Sequence, residues 1–158
     1  MPLPRPLRPA VAWFSRTAVF RRAGPRIMPP LERAWRRLGA RAPLSNLGVP
    51  SLVLHTTGAK SGLPRDSELM YCPDGEDMLI TGSNFARETH PAWTANLLQN
   101  PDAAVTVRGT RIPVRATLVP AAQRETTWAK LERNWPGYRG YERTAGRELR
   151  IFRLRPRR

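Results

Sequence analysis

From residue 48 onward the chain breaks its apolar residues into short runs, each closed by glycine, proline or asparagine, and this punctuation constrains the fold more than any other feature. Short apolar runs bounded by turn residues read as strands, and consecutive ones read as hairpins rather than as a βαβ array. Leu52–His55 is the first such run. Ser67–Cys72 and Met78–Gly82 flank a Pro73-Asp74-Gly75 turn, and Ala104–Arg108 and Arg111–Val119 flank Gly109-Thr110. Pro113 demotes part of its run to a sheet edge or a bulge. Leu149–Leu154 supplies a last strand. Between them, Pro91–Gln99 and Ala121–Arg133 read as short helices, the second turning Trp128 and Leu131 inward. The expectation is an α+β chain: a small barrel of about six antiparallel strands with helical decoration.

The first third is different in kind. Residues 1–47 hold ten Arg and one Glu, a net +9 out of the +15 of the whole chain, and nine of the 17 prolines fall within the first 50 residues. We therefore divide the chain into an Arg/Pro-rich extension, 1–47, and a barrel domain, 48–158. Within the extension, MPLPRPLRP is too proline-rich for helix or sheet. Ala10–Arg22 can be helical with blurred amphipathicity. Pro30–Leu38 is a clean amphipathic helix with Leu31, Ala34, Trp35 and Leu38 on one stripe. No run approaches the ~20 apolar residues of a membrane span, and Arg16, Arg21 and Arg22 interrupt the only candidate for a secretory leader. A single cysteine, Cys72, cannot form an internal disulfide. Together these point to the cytoplasm. The Arg-rich segment 10–38 is suited to an anionic membrane surface at the inner face of the plasma membrane, or else to packing on the barrel with its arginines solvated.

Three segments carry candidate chemistry. Thr56-Thr57-Gly58-Ala59-Lys60-Ser61-Gly62-Leu63-Pro64-Arg65 is a Gly-punctuated loop whose backbone N–H groups, with Lys60 and Arg65, suit a phosphate or carboxylate, although an ordinary surface turn has the same texture. Ala59 before Lys60 excludes a Walker A loop. Ser83-Asn84-Phe85 leads through a loop into a helix on which Trp93 and Asn96 share a face; a tryptophan there is by itself ordinary core, while the asparagine needs polar partners. Trp135-Pro136-Gly137-Tyr138-Arg139-Gly140-Tyr141 spaces three aromatics within Gly- and Pro-rich sequence, which argues against a stable helix and for rings that line a cleft or patch the barrel end. Tyrosine hydroxyls there could donate a proton to a substrate being reduced. His55 and His90 look isolated, and no metal-ligand spacing is present.

In this order, TTGAKSGLPR, PAWTANLLQNP and WPGYRGY resemble the deazaflavin-dependent nitroreductase family, over about Leu52 to Arg155. The resemblance implies a split β-barrel akin to the flavin-mononucleotide-binding barrels. It also implies binding of the deazaflavin coenzyme F-420 and hydride transfer to a quinone, nitroaromatic or similar conjugated small molecule. Carried over by position, Gly58, Lys60, Ser61, Gly62 and Arg65 would hold the cofactor's phosphate and polyglutamate tail. Met70, Ser83, Asn84, Trp93 and Asn96 would surround its ring system, and Trp135, Tyr138 and Tyr141 would form the catalytic, acceptor-side wall. The chain departs from the family at Ala59 and Asn84, where relatives often carry basic residues, and at Trp135, which replaces a tyrosine. A homodimer is compatible with this fold. The competing readings are a flavin- or haem-binding split barrel, and a basic nucleic-acid-binding protein suggested by a pI near 11.7; no aromatic-basic pattern on the strands supports the second.

Overall fold

The computed structural model describes residues 50–135 and 137–157. The expected helices of the extension, Ala10–Arg22 and Pro30–Leu38, and their membrane contact lie outside the described residues. Seven strands form one antiparallel sheet: β1 (Ser51–Thr57), β2 (Pro64–Met70), β3 (Cys72–Asp74), β4 (Asp77–Thr81), β5 (Asp102–Val107), β6 (Thr110–Leu118) and β7 (Ile151–Pro156). Their spatial order is β2-β1-β5-β6-β7-β4-β3. Helices α1 (Ala92–Gln99), α2 (Arg124–Asn134) and α3 (Gly140–Ala145) complete the α+β architecture.

The topology makes the sheet curl. Its two edge strands, β2 and β3, are consecutive in the chain and separated only by Tyr71. Two residues reach no further than ~7 Å, so the opposite edges of a seven-stranded sheet must come together. Tyr71 N–H donates to Pro50 O at the start of β1 (3.0 Å), which fixes the corner.

Both faces of the sheet are covered where β4 lies. Its residues are buried throughout, because Met78 and Ile80 face one core and Leu79 the other. The first core joins Leu52, Leu54, Val105, Val114, Phe152 and Leu154 to Trp93 and Leu97 of α1. Leu54, Val105, Val114 and Leu154 are wholly buried, each stabilising the fold by about 1.5–3 kcal/mol relative to an exposed side chain. The second core packs Leu79, Val119 and Ile151 beneath Trp128, Leu131, Trp135, Tyr138 and Tyr141.

Several expectations change. There are seven strands rather than about six, because the run Ser67–Cys72 divides at Tyr71: its first part pairs with β1 (Leu54↔Ser67), and only Cys72–Asp74 pairs with β4. The β1–β2 loop, with Gly62 at φ +66°, is therefore the first hairpin turn, and it captures a strand that sequence proximity assigned to the turn at Gly75. The β5–β6 hairpin holds, but its turn is Arg108-Gly109 rather than Gly109-Thr110, both residues at positive φ (51° and 85°), the conformation whose twist matches the strands. Pro113 lies in an interior strand, not an edge. It is tolerated where β7 runs out, with Pro113 O accepting from Arg157 N–H (2.9 Å). The last strand begins at Ile151 rather than Leu149, and the aromatic segment contains a helix, α3, that its glycines argued against.

Candidate active site

The β1–β2 loop is closed by its own backbone. Gly58 N–H donates to Leu63 O and Gly62 N–H to Gly58 O, both at 2.8 Å. Asn96 on α1 then holds it from below: Asn96 Oδ1 accepts from Ala59 N–H (2.9 Å), and Asn96 Nδ2 donates to the buried Thr56 hydroxyl (3.0 Å). Gly58 is required for closeness, since a Cβ there would stand 2.5 Å from Ser61 Oγ. Of the five positions expected to face an anion, Gly58 and Gly62 spend their N–H groups inside the loop, and Ser61 Oγ accepts from Leu63 N–H (3.3 Å). What remains is a small donor set: the N–H groups of Lys60 and Ser61, and the exposed side chains of Lys60 and Arg65, none with a partner among the described residues. Two cations without acids beside two free amides fit the phosphate and carboxylates of an anionic tail.

The second loop leaves β4 at Gly82. A Cβ at Gly82 would meet Thr94 Cγ2 at 2.9 Å, so its absence lets the end of β4 press against the first turn of α1. Thr94 and Asn96 lie ~3 Å apart along the helix axis, and α1 thus supports both loops within one turn. Asn84, Phe85 and Ala86 then follow with φ of 47°, 55° and 58°. Three successive non-glycine residues in the left-handed region are unusual, at about 1–2 kcal/mol each for residues with a Cβ. The Asn84 amide is engaged within the loop. Its Nδ2 donates to Thr89 O (2.8 Å) and closes the loop on itself.

The aromatic segment stands opposite. Trp135, Tyr138 and Tyr141 are 7–8% exposed and belong to the core. Tyr138 packs edge-on against Trp128 (6.2 Å) and Tyr141 (5.5 Å). α3 forms and turns the rings inward, so of the two expected arrangements the burial of all three favours the patch at the barrel end. The Ser83 and Thr81 hydroxyls lie near the Tyr138 phenol, and burial pushes its pKa up to about 12. Thr81 Oγ1 makes no well-aligned hydrogen bond and is a buried, unpartnered oxygen among the described residues. Of the ring-system residues, Trp93 is core, tilted against Phe152 at 5.8 Å, Met70 packs on the aromatic cluster, and Asn96 is the staple described above. The structure thus brings Ser83 to Tyr138 and Asn96 to the β1–β2 loop, and withdraws Trp93 into the core.

Sequence reasoning missed Arg147. Its guanidinium donates to Arg87 O (3.0 Å), Gly82 O (3.2 Å), Ser83 O (3.4 Å), Thr89 O (3.0 Å) and His90 Nδ1 (3.0 Å). Burial and the charges of Arg147 and Arg150 hold His90 below the ordinary histidine value, which keeps Nδ1 an acceptor. His55 is not isolated either, meeting Asp66 Oδ1 (2.7 Å) and Thr106 Oγ1 (2.8 Å) across three strands. A cavity of about 620 Å³ opens on β6 and β7 and is lined by none of the expected site residues. Its arginines are engaged by carboxylates, Arg153 and Arg155 with Asp77, and Arg115 and Arg157 with Asp102.

Comparison with known proteins decides the family. The F420H(2)-dependent quinone reductase model matches residues 31–156. The chain belongs to that family. Members are oxidoreductases with reduced F-420 as their reductant. The chain is 35% identical, over 120 residues, to an F420H(2)-dependent quinone reductase of Mycobacterium tuberculosis, covering 73% of this chain and 77% of that protein. Among solved structures it is similar to an F420-H2 dependent reductase (27% identity, TM-score 0.60, 66% of this chain and 93% of that one). It is also similar to a protein described as a domain-swapped dimer (26% identity, TM-score 0.61, 79% and 96%). Among the described residues no helix is long and apolar enough to cross a membrane.

Proposed function

We propose that this family member anchors the anionic tail of F-420 at the β1–β2 loop and reduces a quinone beside Ser83 and Tyr138, in a curled sheet that is a split β-barrel. The observation that carries the reading is the loop's donor set. Among the described residues, Lys60 and Arg65 are exposed cations without carboxylate partners, next to the amides of Lys60 and Ser61, which also have none. When bound, the reduced deazaflavin supplies a hydride, chemistry that protein side chains lack. The chain's own groups do the rest. Lys60 and Arg65 bind charge, Asn96 keeps the loop in shape, and the Tyr138 phenol, protonated at any physiological pH, is the proton donor to the reduced acceptor, with Ser83 orienting it. Hydride converts a quinone to the hydroquinone anion, one proton from Tyr138 makes it the neutral hydroquinone, and solvent returns a proton to the Tyr138 phenolate. A nitroaromatic would use the same two groups, but the family's acceptor class favours the quinone. A homodimer is the assembly to test first, given the dimeric neighbour.

Titration of the purified chain with F-420 and, separately, flavin mononucleotide, followed by cofactor fluorescence, tests this. Saturable binding of the deazaflavin and quinone-dependent oxidation of its reduced form are expected. Tighter binding of flavin mononucleotide would refute the reading in favour of a flavin barrel.

A further inference from the structure

The left-handed turn at Asn84–Ala86 needs something to hold it. Its local backbone hydrogen bonds, Ala86 N–H to Ser83 O (2.9 Å) and Arg87 N–H to Asn84 O (3.1 Å), are those any tight turn makes, and Asn84 Nδ2 adds one bond to Thr89 O (2.8 Å), which ties only the first of the three residues. Such strain persists only where surrounding structure over-determines it. The group that does so comes from far along the chain. Gly146, at φ +63°, ends α3, and the next residue, Arg147, extends across the whole 82–90 segment. Four carbonyls of that segment, those of Gly82, Ser83, Arg87 and Thr89, together with His90 Nδ1, converge on one guanidinium. The planar fork meets these acceptors from all three nitrogens, Nε to Arg87 O, Nη1 to His90 and Nη2 sharing its two N–H groups among the other three, a spread that a lysine ammonium cannot reproduce.

The position of this clamp in the chain gives it a purpose. Tyr138 precedes α3 and Arg147 follows it, so one short helix carries the phenol's support at one end and the clamp at the other. The clamped segment carries Ser83, whose own carbonyl is among those held and whose hydroxyl lies near that phenol. We propose that Arg147 is a positioning residue for this site: by gathering the 82–90 carbonyls it holds the left-handed turn shut and sets Ser83 against Tyr138. This rests on the reading of Ser83 and Tyr138 as the acceptor side. It adds that their geometry is imposed by a residue that touches neither cofactor nor acceptor.

The test compares the full chain with Arg147→Lys, which keeps the charge and loses the fork, and with Arg147→Ala. Hydrogen exchange needs no cofactor. Amides of 83–90 should exchange at least tenfold faster in Arg147→Lys, while those of β4 and β7 keep their protection. With reduced F-420 and menadione, kcat should fall tenfold or more. The dissociation constant of F-420 should stay within twofold, because the hydrogen bonds of Arg147 go to the 82–90 segment and Asn96 holds the β1–β2 loop. Guanidinium ion at tens of millimolar should restore kcat to Arg147→Ala and do nothing for Arg147→Lys. Native exchange and native kcat in Arg147→Lys would overturn the proposal, as would a loss of protection spread equally over β4 and β7, which would make the residue merely structural. Failure of the native chain to turn over would instead strike the functional reading, and with it the catalytic purpose of the clamp.

Discussion

Replacing Asn96 by alanine tests how the tail-binding loop keeps its shape. The side chain is 6% exposed and makes two hydrogen bonds, accepting from Ala59 N–H at 2.9 Å and donating to Thr56 Oγ1 at 3.0 Å. Each is worth about 1 kcal/mol net. The Thr56 hydroxyl retains a long contact to Arg65 O (3.4 Å), whereas Ala59 N–H loses its acceptor. Alanine recovers about 0.5 kcal/mol of helix propensity within α1. The expected loss, with the packing given up by the amide, is about 2 kcal/mol, or a fall of about 8–10 °C in Tm for a domain of this size. The informative measurement is the affinity for F-420, because only the Ala59 bond holds the loop. Thr56→Val removes the other bond and leaves the loop tethered, so it should lower Tm at native affinity. Asn96→Ala should lower both, with affinity falling about tenfold, equivalent to 1.4 kcal/mol. Equal affinities in the two variants at 25 °C, where both are folded, would refute the idea that Asn96 shapes the loop.

Lys60→Ala with Arg65→Ala should weaken F-420 binding tenfold or more without lowering Tm, since both side chains are exposed and unpaired with acids among the described residues; fluorescence titration and differential scanning calorimetry check the two halves. Tyr138 should resist ionisation, so absorbance at 295 nm should show one of the three tyrosines titrating only near pH 12, and Tyr138→Phe should remove that step and lower kcat 10²-fold or more, the scale of general-acid catalysis. His90, held below its ordinary 6.5 in the fold, binds its proton later than in the unfolded chain. Stability then rises with pH in the window below 6.5, is complete above it, and is lost as pH falls through the folded value. Urea melts at pH 5 and pH 7 should show a larger acid loss for the native chain than for His90→Gln.

Local order was legible where a signal is local. Alternating burial along β1, the β5–β6 hairpin, and the span of α1 follow from residues adjacent in sequence. Pairing was less legible. The run Ser67–Cys72 could pair forward or back, and the choice depends on a loop closed by Gly58 and Gly62 and on a corner made by Tyr71. The aromatic segment misled for a related reason. Glycine and proline lower helix propensity, yet Gly140 begins α3 because Tyr141 and Ala145 bury there against the second core, and burial outweighs the ~1 kcal/mol that a glycine costs.

The two side chains that shape the candidate site bond across 37 and across 57–65 residues of chain, which no motif spacing can express. Asn96 and Arg147 do the same job in different currencies. The β1–β2 loop is unstrained, carries its own backbone bonds, and needs one neutral amide to hold Ala59 while its cations stay free for a ligand. The 82–90 loop is strained and carries no charge of use at Ser83, so a guanidinium can be committed wholly to its carbonyls. A cation in the first position has no acceptor to offer Ala59 N–H, and an amide in the second could serve at most a few of five acceptors. The residue types are therefore not interchangeable, and their difference separates a loop built to bind an anion from a loop built to aim a hydroxyl.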